Sequence, residues 1–408
     1  MKYLLNINIL GRNHNFALLF WGQSVSFIGG MITSVALPYQ IYHQTQSTLM
    51  VGLLSLAQLI PLLFTALIGG VLADRHHRIK LLLIAEFFLA IGCLLLAYNA
   101  FLPKPHIWVL FVISSLASAL MGLHRPAMDS IRQQIVDKAD YPAAGALIMS
   151  IISLNMIIGP AAGGLIISHY GLVVTYLIDF STFIVSFICI CNMRNVPNPK
   201  RNRDESSLAS LKSGLKYAFS RQELMGTYYV DFIAMVFGMP NALFPAIAQS
   251  FGGVKTLGLL YSAPALGALM ISLFSGWTKH IKKQGAAIAA AAALWGVSIV
   301  FFGLSSHLWP ALLFLSFAGA FDAISGIFRS IMWNETIPNE LRGRLAGIEM
   351  ISYLSGPKLG DTESGLVAAA FGVTFSIISG GAMCILGVIG CCYFMPKFWR
   401  YYSSDIYK

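Results

Sequence analysis

The chain has 408 residues, of which 57% are apolar and 11% charged. Soluble domains run at roughly 45–50% apolar and about 25% charged, so this composition excludes an ordinary soluble enzyme, a disordered chain and a nucleic-acid-binding domain. The net charge of +10 is read as the Lys/Arg excess that keeps loops on the cytoplasmic side of a membrane.

In chain order, residues 1–15 are polar and mixed, and no cleavable signal peptide is evident. Twelve apolar runs follow, at 16–42, 49–73, 80–102, 107–128, 143–168, 172–193, 223–246, 256–277, 286–305, 309–332, 345–369 and 374–395. Each is at least as long as the roughly 20 residues that a membrane-spanning helix takes. Connections such as Ser168-His169-Tyr170-Gly171 and Ser305-Ser306-His307 are so short that the helices they join run antiparallel. Cys93, Cys189, Cys191, Cys384, Cys391 and Cys392 all lie in or at the ends of these runs. They read as small buried hydrophobes rather than a disulfide framework or a metal site.

With the N-terminus inside, the cytoplasmic segments carry 22 Lys and Arg and the opposite side only Lys104 and Lys255. That asymmetry over short loops puts both termini in the cytoplasm. The longest polar stretch, 194–222, carries Leu208, Leu211, Leu215 and Phe219 at helical spacing among lysines, the pattern of an amphipathic helix on the membrane face. The expected fold is therefore all-α. It has twelve transmembrane helices in two six-helix bundles, with an N-terminal bundle over 1–193, a linker over 194–222 and a C-terminal bundle over 223–408. A shift of 201 residues carries Gly159 and Gly164 onto Gly360 and Gly365, and Ala146 onto Gly347. This is a faint internal repeat of the kind found in two-bundle transporters.

After the second run comes Gly70-Val71-Leu72-Ala73-Asp74-Arg75-His76-His77-Arg78-Ile79-Lys80. The fifth run carries Asn155-Met156-Ile157-Ile158-Gly159-Pro160-Ala161-Ala162-Gly163-Gly164. The first resembles the signature loop of the major facilitator superfamily. The second resembles that superfamily's antiporter motif, with Asn155 in place of its first glycine. The second-half copy of the loop, Gly276 to Lys283, lacks the aspartate. Leu208 to Phe219, Pro338 to Arg344 and Gly360-Asp361 further resemble the branch that exports enterobactin.

The resemblance implies secondary active export of a small organic molecule, a siderophore first and a macrolide or other drug as the alternative. Alternating access would be coupled to inward proton movement. It implies a multi-pass protein of the bacterial inner membrane, acting as a monomer without a cofactor and driven by the proton gradient. Its partners would be the substrate and the lipid, not nucleic acid. No phosphate-cradling Gly-x-x-x-x-Gly-Lys-Ser/Thr, nucleophile elbow or His-Glu-x-x-His is present, so neither a nucleotide-driven pump nor an enzyme is expected.

The resemblance also assigns roles. Gly70, Asp74, Arg75 and Arg78, with Arg125 and Arg132 nearby, would form the cytoplasmic gate. In it Asp74 would meet the N-terminal end of span 11 or pair with the two arginines. In the antiporter-like motif, Asn155, Gly159, Pro160, Gly163 and Gly164 would kink and pack span 5.

Ionisable groups at membrane depth are costly and mark function. Asp231, Asp322 and Asp361 are candidates for proton coupling, because desolvation favours the protonated form of a carboxylate. Lys358 lies three residues before Asp361, on one helix face, and reads as its ion-pair partner and as a contact for an acidic ligand. Gln23, Gln58, Tyr228, Arg329 and Trp333 complete the candidate substrate contacts. Asp179 reads as a satisfied polar contact, and Glu86 as part of a gate or a structural salt bridge near the cytoplasmic ends.

Overall fold

The structure, a computed structural model, describes residues 7–75, 77–194, 196 and 216–403; the side chains of 67–75, 339–340, 342–344, 346–348 and 350–351 lie outside the description. Every regular element among the described residues is helical. In lipid no water satisfies a free backbone N–H or C=O, so apolar runs of this length close their hydrogen bonds within one helix.

The helices are α1 (Asn8–Arg12), α2 (His14–Thr45), α3 (Thr48–Arg75), α4 (Arg78–Phe101), α5 (Ile107–Ile135) and α6 (Tyr141–Cys191). After the linker come α7 (Gln222–Phe237), α8 (Phe244–Phe251), α9 (Val254–Leu273), α10 (Gln284–Leu304), α11 (Leu308–Thr336), α12 (Asn339–Phe371), α13 (Val373–Phe394) and the short α14 (Pro396–Trp399). Among the described residues, ten helical segments are long and apolar enough to cross a membrane, and one of them covers 54 residues. That segment contains α6, which breaks at Gly171 with φ 78, a left-handed value that glycine alone adopts without strain. Counting both halves of α6, and adding the 33 residues of α12, gives the twelve expected crossings.

Two compact units divide the chain. Unit 1 comprises Met1–Thr45, Ala57–Arg203 and Gly252–Ser262; unit 2 comprises Gln46–Leu56, Asp204–Phe251 and Ala263–Lys408. The first turns of α3 thus group with the second half of the sequence, and the first turns of α9 with the first half. In unit 1, α2 and α4 pack along α6, and α5 packs on α4. In unit 2, α10 packs between α11 and α13, and α12 packs on α7 and α13. The amphipathic helix expected at Leu208–Phe219 falls mostly outside the described residues; its end is helical over 216–220.

The repeat at 201 residues has a structural counterpart. It carries the Gly171 break (φ 78) onto Gly372 (φ 92), the connection between α12 and α13. It also carries Gly164 onto Gly365, each at a close crossing, although the partners in the two crossings, Thr48 and Gly52 against Val254 and Gly258, are 206 residues apart. In unit 1 a Cβ on Gly164 would lie 2.8 Å from the Val254 carbonyl oxygen and 3.0 Å from Gly258 Cα. In unit 2 a Cβ on Gly365 would lie 2.8 Å from the Thr48 carbonyl oxygen and 3.0 Å from Gly52 Cα. Both crossings need glycine on both helices, because any side chain would meet backbone.

The run read as one span at 223–246 is discontinuous. α7 stops at Phe237, and Gly238-Met239-Pro240 leads through a single 3-10 turn (Asn241–Leu243) into α8. Proline has no N–H to give and cannot continue a helix. The freed backbone groups find side chains. Trp295 Nε1 donates to the Gly238 carbonyl at 2.9 Å, and Asp361 Oδ1 accepts the Ala242 N–H at 3.1 Å.

Candidate functional site

In unit 2, α7 presents Tyr228 and Asp231 three residues apart, and α11 presents Asp322, Arg329 and Trp333 seven and four apart. Both spacings put the group on one face of its helix. They bring Arg329, 9% exposed, between two carboxylates. Its Nη1 pairs closely with Asp231 Oδ1, and its Nη2 lies 3.9 Å from Asp322 Oδ1. The carboxylates differ in access: the Asp231 side chain is 11% exposed and that of Asp322 is 45% exposed. The charge of Glu349, on α12, also acts on Arg329.

Beside this cluster Trp333 lies over Tyr228, with ring centroids 5.3 Å apart and planes tilted by 30°. Trp333 Nε1 donates to Thr227 Oγ1 at 2.8 Å. Two buried polar atoms here have no hydrogen-bond partner among the described residues, Tyr228 Oη and Arg329 Nε. Unfilled buried polar atoms are costly. An aromatic wall, a paired base, an accessible acid and two unfilled atoms together suit an organic ligand carrying hydroxyl or carboxyl groups.

The second cluster of unit 2 centres on Asp361. Its Oδ2 accepts the Ser55 hydroxyl at 2.9 Å, and its Oδ1 accepts the Ala242 N–H at 3.1 Å. The charge of Lys358, one helical turn earlier on α12, is offset by Asp361. Asp361 therefore joins three elements: α12, the start of α3 and the broken entry to α8. The sequence pairs it with Lys358 alone; its hydrogen bonds to Ser55 and to the Ala242 backbone are additional.

The candidates in unit 1 go elsewhere. Gln23 is turned into a buried polar cluster, donating to Glu86 Oε1 at 2.8 Å and contacting Ser186 Oγ at 3.0 Å. Gln58 is buried at 9% exposure. Asn155 Nδ2 donates to the Ser24 carbonyl at 2.8 Å, tying α6 to α2. Gly159 lies against Met31, Gly163 lies against Ile32, and Pro160 sits inside α6. The motif's residues thus act in unit 1 as a packing surface for α2 on one side and for the start of α9 on the other. Of the signature loop, Gly70, Asp74 and Arg75 lie outside the described side chains, and Arg78 is partly buried at the start of α4. Arg125 is exposed, and Arg132 pairs with Asp129 on its own helix at 3.1 Å.

Sequence reasoning had no means of finding the partners of Glu86. His124 Nε2 and Ser186 Oγ lie 3.1 and 2.9 Å from its Oε1, yet they are 38 and 100 residues away in the chain. Asp179 is a satisfied acceptor: Thr33 donates to it closely, and Thr182 Oγ1 and Cys93 Sγ lie at 3.2 and 3.4 Å.

The chain is similar to known transporters along nearly its whole length. The family described as "Transmembrane secretion effector" matches residues 11–402. The enterobactin exporter EntS of Shigella boydii serotype 18 is 27% identical over 391 residues, covering 95% of this chain and 94% of its own. EntS of Escherichia coli O81 matches with the same identity and coverage. Among solved structures, a POT family transporter in complex with 5-aminolevulinic acid superposes with a TM-score of 0.76 at 13% identity, over 95% of this chain and 97% of that one. The nucleoside transporter NupG gives 0.69 at 13% identity, over 93% and 98%. At such identity these structures speak for the fold alone, and the fold is that of the major facilitator superfamily. This chain is a multi-pass membrane transporter that handles a small molecule, not an enzyme, and it belongs to the transmembrane secretion effector family of that superfamily.

Proposed function

We propose that the protein exports a siderophore-class molecule from the bacterial cytoplasm across the inner membrane, in exchange for protons, with both termini cytoplasmic. The observation that carries this reading is the unit 2 cluster. Arg329 is paired with Asp231, the more accessible Asp322 stands by, and the Tyr228–Trp333 wall adjoins them with two unfilled polar atoms. Siderophores present rings and oxygen-rich polar groups together, which is what such a lining accommodates. The similarity to enterobactin exporters over 95% of the chain supports the same substrate class. Asp322 is the acid best placed to exchange a proton, since Asp231 is held by Arg329 and Asp361 accepts two hydrogen bonds.

A second reading, efflux of a hydrophobic drug or macrolide, is favoured by one feature. The deep bases are already offset by acids, Arg329 by Asp231 and Lys358 by Asp361, which leaves the site acidic and aromatic. Metabolite profiling of a deletion strain separates the two. Siderophore export predicts that under iron starvation an iron-chelating compound disappears from the medium and accumulates in the cells, with no difference under iron repletion. An unchanged medium, together with raised sensitivity to amphipathic drugs, would replace the first reading by the second.

A further inference from the structure

Unit 1 contains a buried acid–imidazole pair for which the export reading has no use. Glu86, on α4, is 0% exposed, and His124, on α5, is 4% exposed. Three polar atoms converge on one carboxylate oxygen, Glu86 Oε1: Gln23 Nε2 from α2 donates at 2.8 Å, Ser186 Oγ from α6 donates at 2.9 Å, and His124 Nε2 lies at 3.1 Å, where it donates when Glu86 is ionised. The remaining polar atom of each partner, Glu86 Oε2 and His124 Nδ1, is buried with no hydrogen-bond partner among the described residues. Four helices of the unit thus meet at a pair that is only half satisfied. A purely structural polar knot is expected to be complete, because each orphaned buried atom costs about 1–3 kcal/mol.

Among the described residues, the groups around the pair are acidic or neutral. From α6 the cluster faces Ser186 and, further along, Asp179, whose charge acts together with that of Glu86. α2 contributes Gln23 and Thr33, α4 contributes Cys93 beside Asp179, and α5 contributes His124 itself. Arg125, the next residue on α5, is exposed. Among these described groups His124 is the one that becomes a cation by taking up a proton. Its Nε2 already lies on a carboxylate, so the cation would have its counter-charge in place. Its Nδ1 lone pair is unfilled.

We propose that Glu86 and His124 form a proton-binding site within unit 1, separate from the acids of unit 2. One proton from the aqueous phase forms the Nδ1–H bond of His124, and Glu86 carries the counter-charge through Nε2. The loaded pair is neutral overall. The empty pair leaves a net negative charge close to Asp179, which destabilises the junction of α2, α4, α5 and α6. Proton occupancy therefore sets how firmly these four helices are held together. The site stands whatever the substrate, and its test uses no substrate, so its failure and that of the export reading are distinguishable.

Solid-state NMR of the full chain in lipid tests it. Of the nine histidines, His124 is the one that follows a leucine, so labelling leucine carbonyl carbon and histidine nitrogen assigns it without mutation. Across the pH range over which the protein stays folded, its imidazole nitrogens should pass from the imidazolium to the neutral form. The imidazolium form should disappear in Glu86→Gln and persist in Asp179→Asn. If Glu86→Gln fails to fold, carbon–nitrogen recoupling in the unmodified protein reads the same contact: the Glu86 carboxyl carbon should couple to His124 Nε2 in the imidazolium form. A His124 ring that stays in one form across this range overturns the proposal. So does an imidazolium unaffected by Glu86→Gln, or one without coupling to Glu86.

Discussion

Asp361 offers the most direct test of the charge reasoning. Two kinds of interaction hold it: hydrogen bonds from Ser55 and the Ala242 N–H at 2.9 and 3.1 Å, and the charge of Lys358. Hydrogen bonds between membrane helices average about 0.6 kcal/mol each. Removing one member of a buried ion pair costs about 3–5 kcal/mol, because the other is left uncompensated. The charge effect should win. In Asp361→Asn the amide oxygen can still accept the Ala242 N–H and the amide group can still meet Ser55, so the hydrogen bonds survive and the charge alone is lost. Asp361→Asn and Lys358→Met should each lose about 3–5 kcal/mol, while the double variant should fall within about 2 kcal/mol of the parent, since no charge remains to compensate. The assay is reversible unfolding of the purified chain in mixed micelles at neutral pH, analysed as a double-mutant cycle. If the two single losses simply add, the lysine is not Asp361's counter-charge, and Asp361 is a hydrogen-bonded cap for the break between α7 and α8.

Other outcomes follow from single contacts. Asp322→Asn should leave the chain folded but abolish proton-driven export in proteoliposomes, whereas Asp231→Asn should lower the unfolding temperature because it strands Arg329; full proton-driven export by Asp322→Asn would remove that acid from the coupling path. Gly365→Ala should destabilise, since its new methyl would meet the Thr48 carbonyl oxygen at 2.8 Å, while Gly390→Ala, with open space around it, should be neutral or gain up to about 1 kcal/mol of helix propensity; equal unfolding temperatures for the two would refute the close crossing. At the C-terminal tail, Tyr401 Oη donates to Glu335 Oε2 at 3.0 Å, and burial followed by this carboxylate raises the Tyr401 pKa above its ordinary value. The neutral phenol is the bonded form, so its contribution is fully present below about pH 10 and is lost only as pH rises through the raised value; the tyrosinate absorbance removed by Tyr401→Phe should be the late part of the titration.

The parts of the fold legible in the sequence are those encoded locally. Apolar runs and flanking lysines marked most spans to within a few residues: α2, expected at 16–42, runs from His14 to Thr45, whereas α5, expected to end at 128, continues to Ile135 and α12, expected from 345, begins at Asn339. The break inside the seventh run was also written locally, as Gly238 and Pro240 two residues apart, but the apolar residues on either side masked it. The site was legible only where its members share a helix, as Tyr228 with Asp231 and Lys358 with Asp361 do. Partners across helices were not legible: Ser55 meets Asp361 from 306 residues away, and Gln23 meets Glu86 from 63. A single sequence carries no record of such pairings, since any small polar residue on the facing helix would satisfy the same carboxylate. Gln23 shows the cost of this, because a residue chosen as a ligand contact is consumed by a neighbour far away in the chain.

The balance of charge in unit 2 decides which ligands the proposed exchange for protons can carry. Two deep bases, Arg329 and Lys358, face Asp231, Asp322, Glu349 and Asp361, so acids are in surplus. An anionic ligand must displace a carboxylate from one of the bases. The released carboxylate is then buried without a partner and takes up a proton, because burial favours its neutral form. Ligand and proton would bind together, which is the wrong sign for exchange. A ligand that presents hydroxyl donors behaves oppositely. It bonds best to an ionised Asp322, so it competes with the proton, as antiport requires. Iron-free catechols are protonated near neutral pH and are donors of this kind, whereas carboxylate chelators are already anionic. Calorimetry of 2,3-dihydroxybenzamide binding, repeated in buffers of different ionisation enthalpy, reads the proton count. Binding should release a proton to the buffer, and Asp322→Asn should abolish the release while ligand binding persists. Proton uptake on binding of this neutral catechol would refute the exchange mechanism at Asp322.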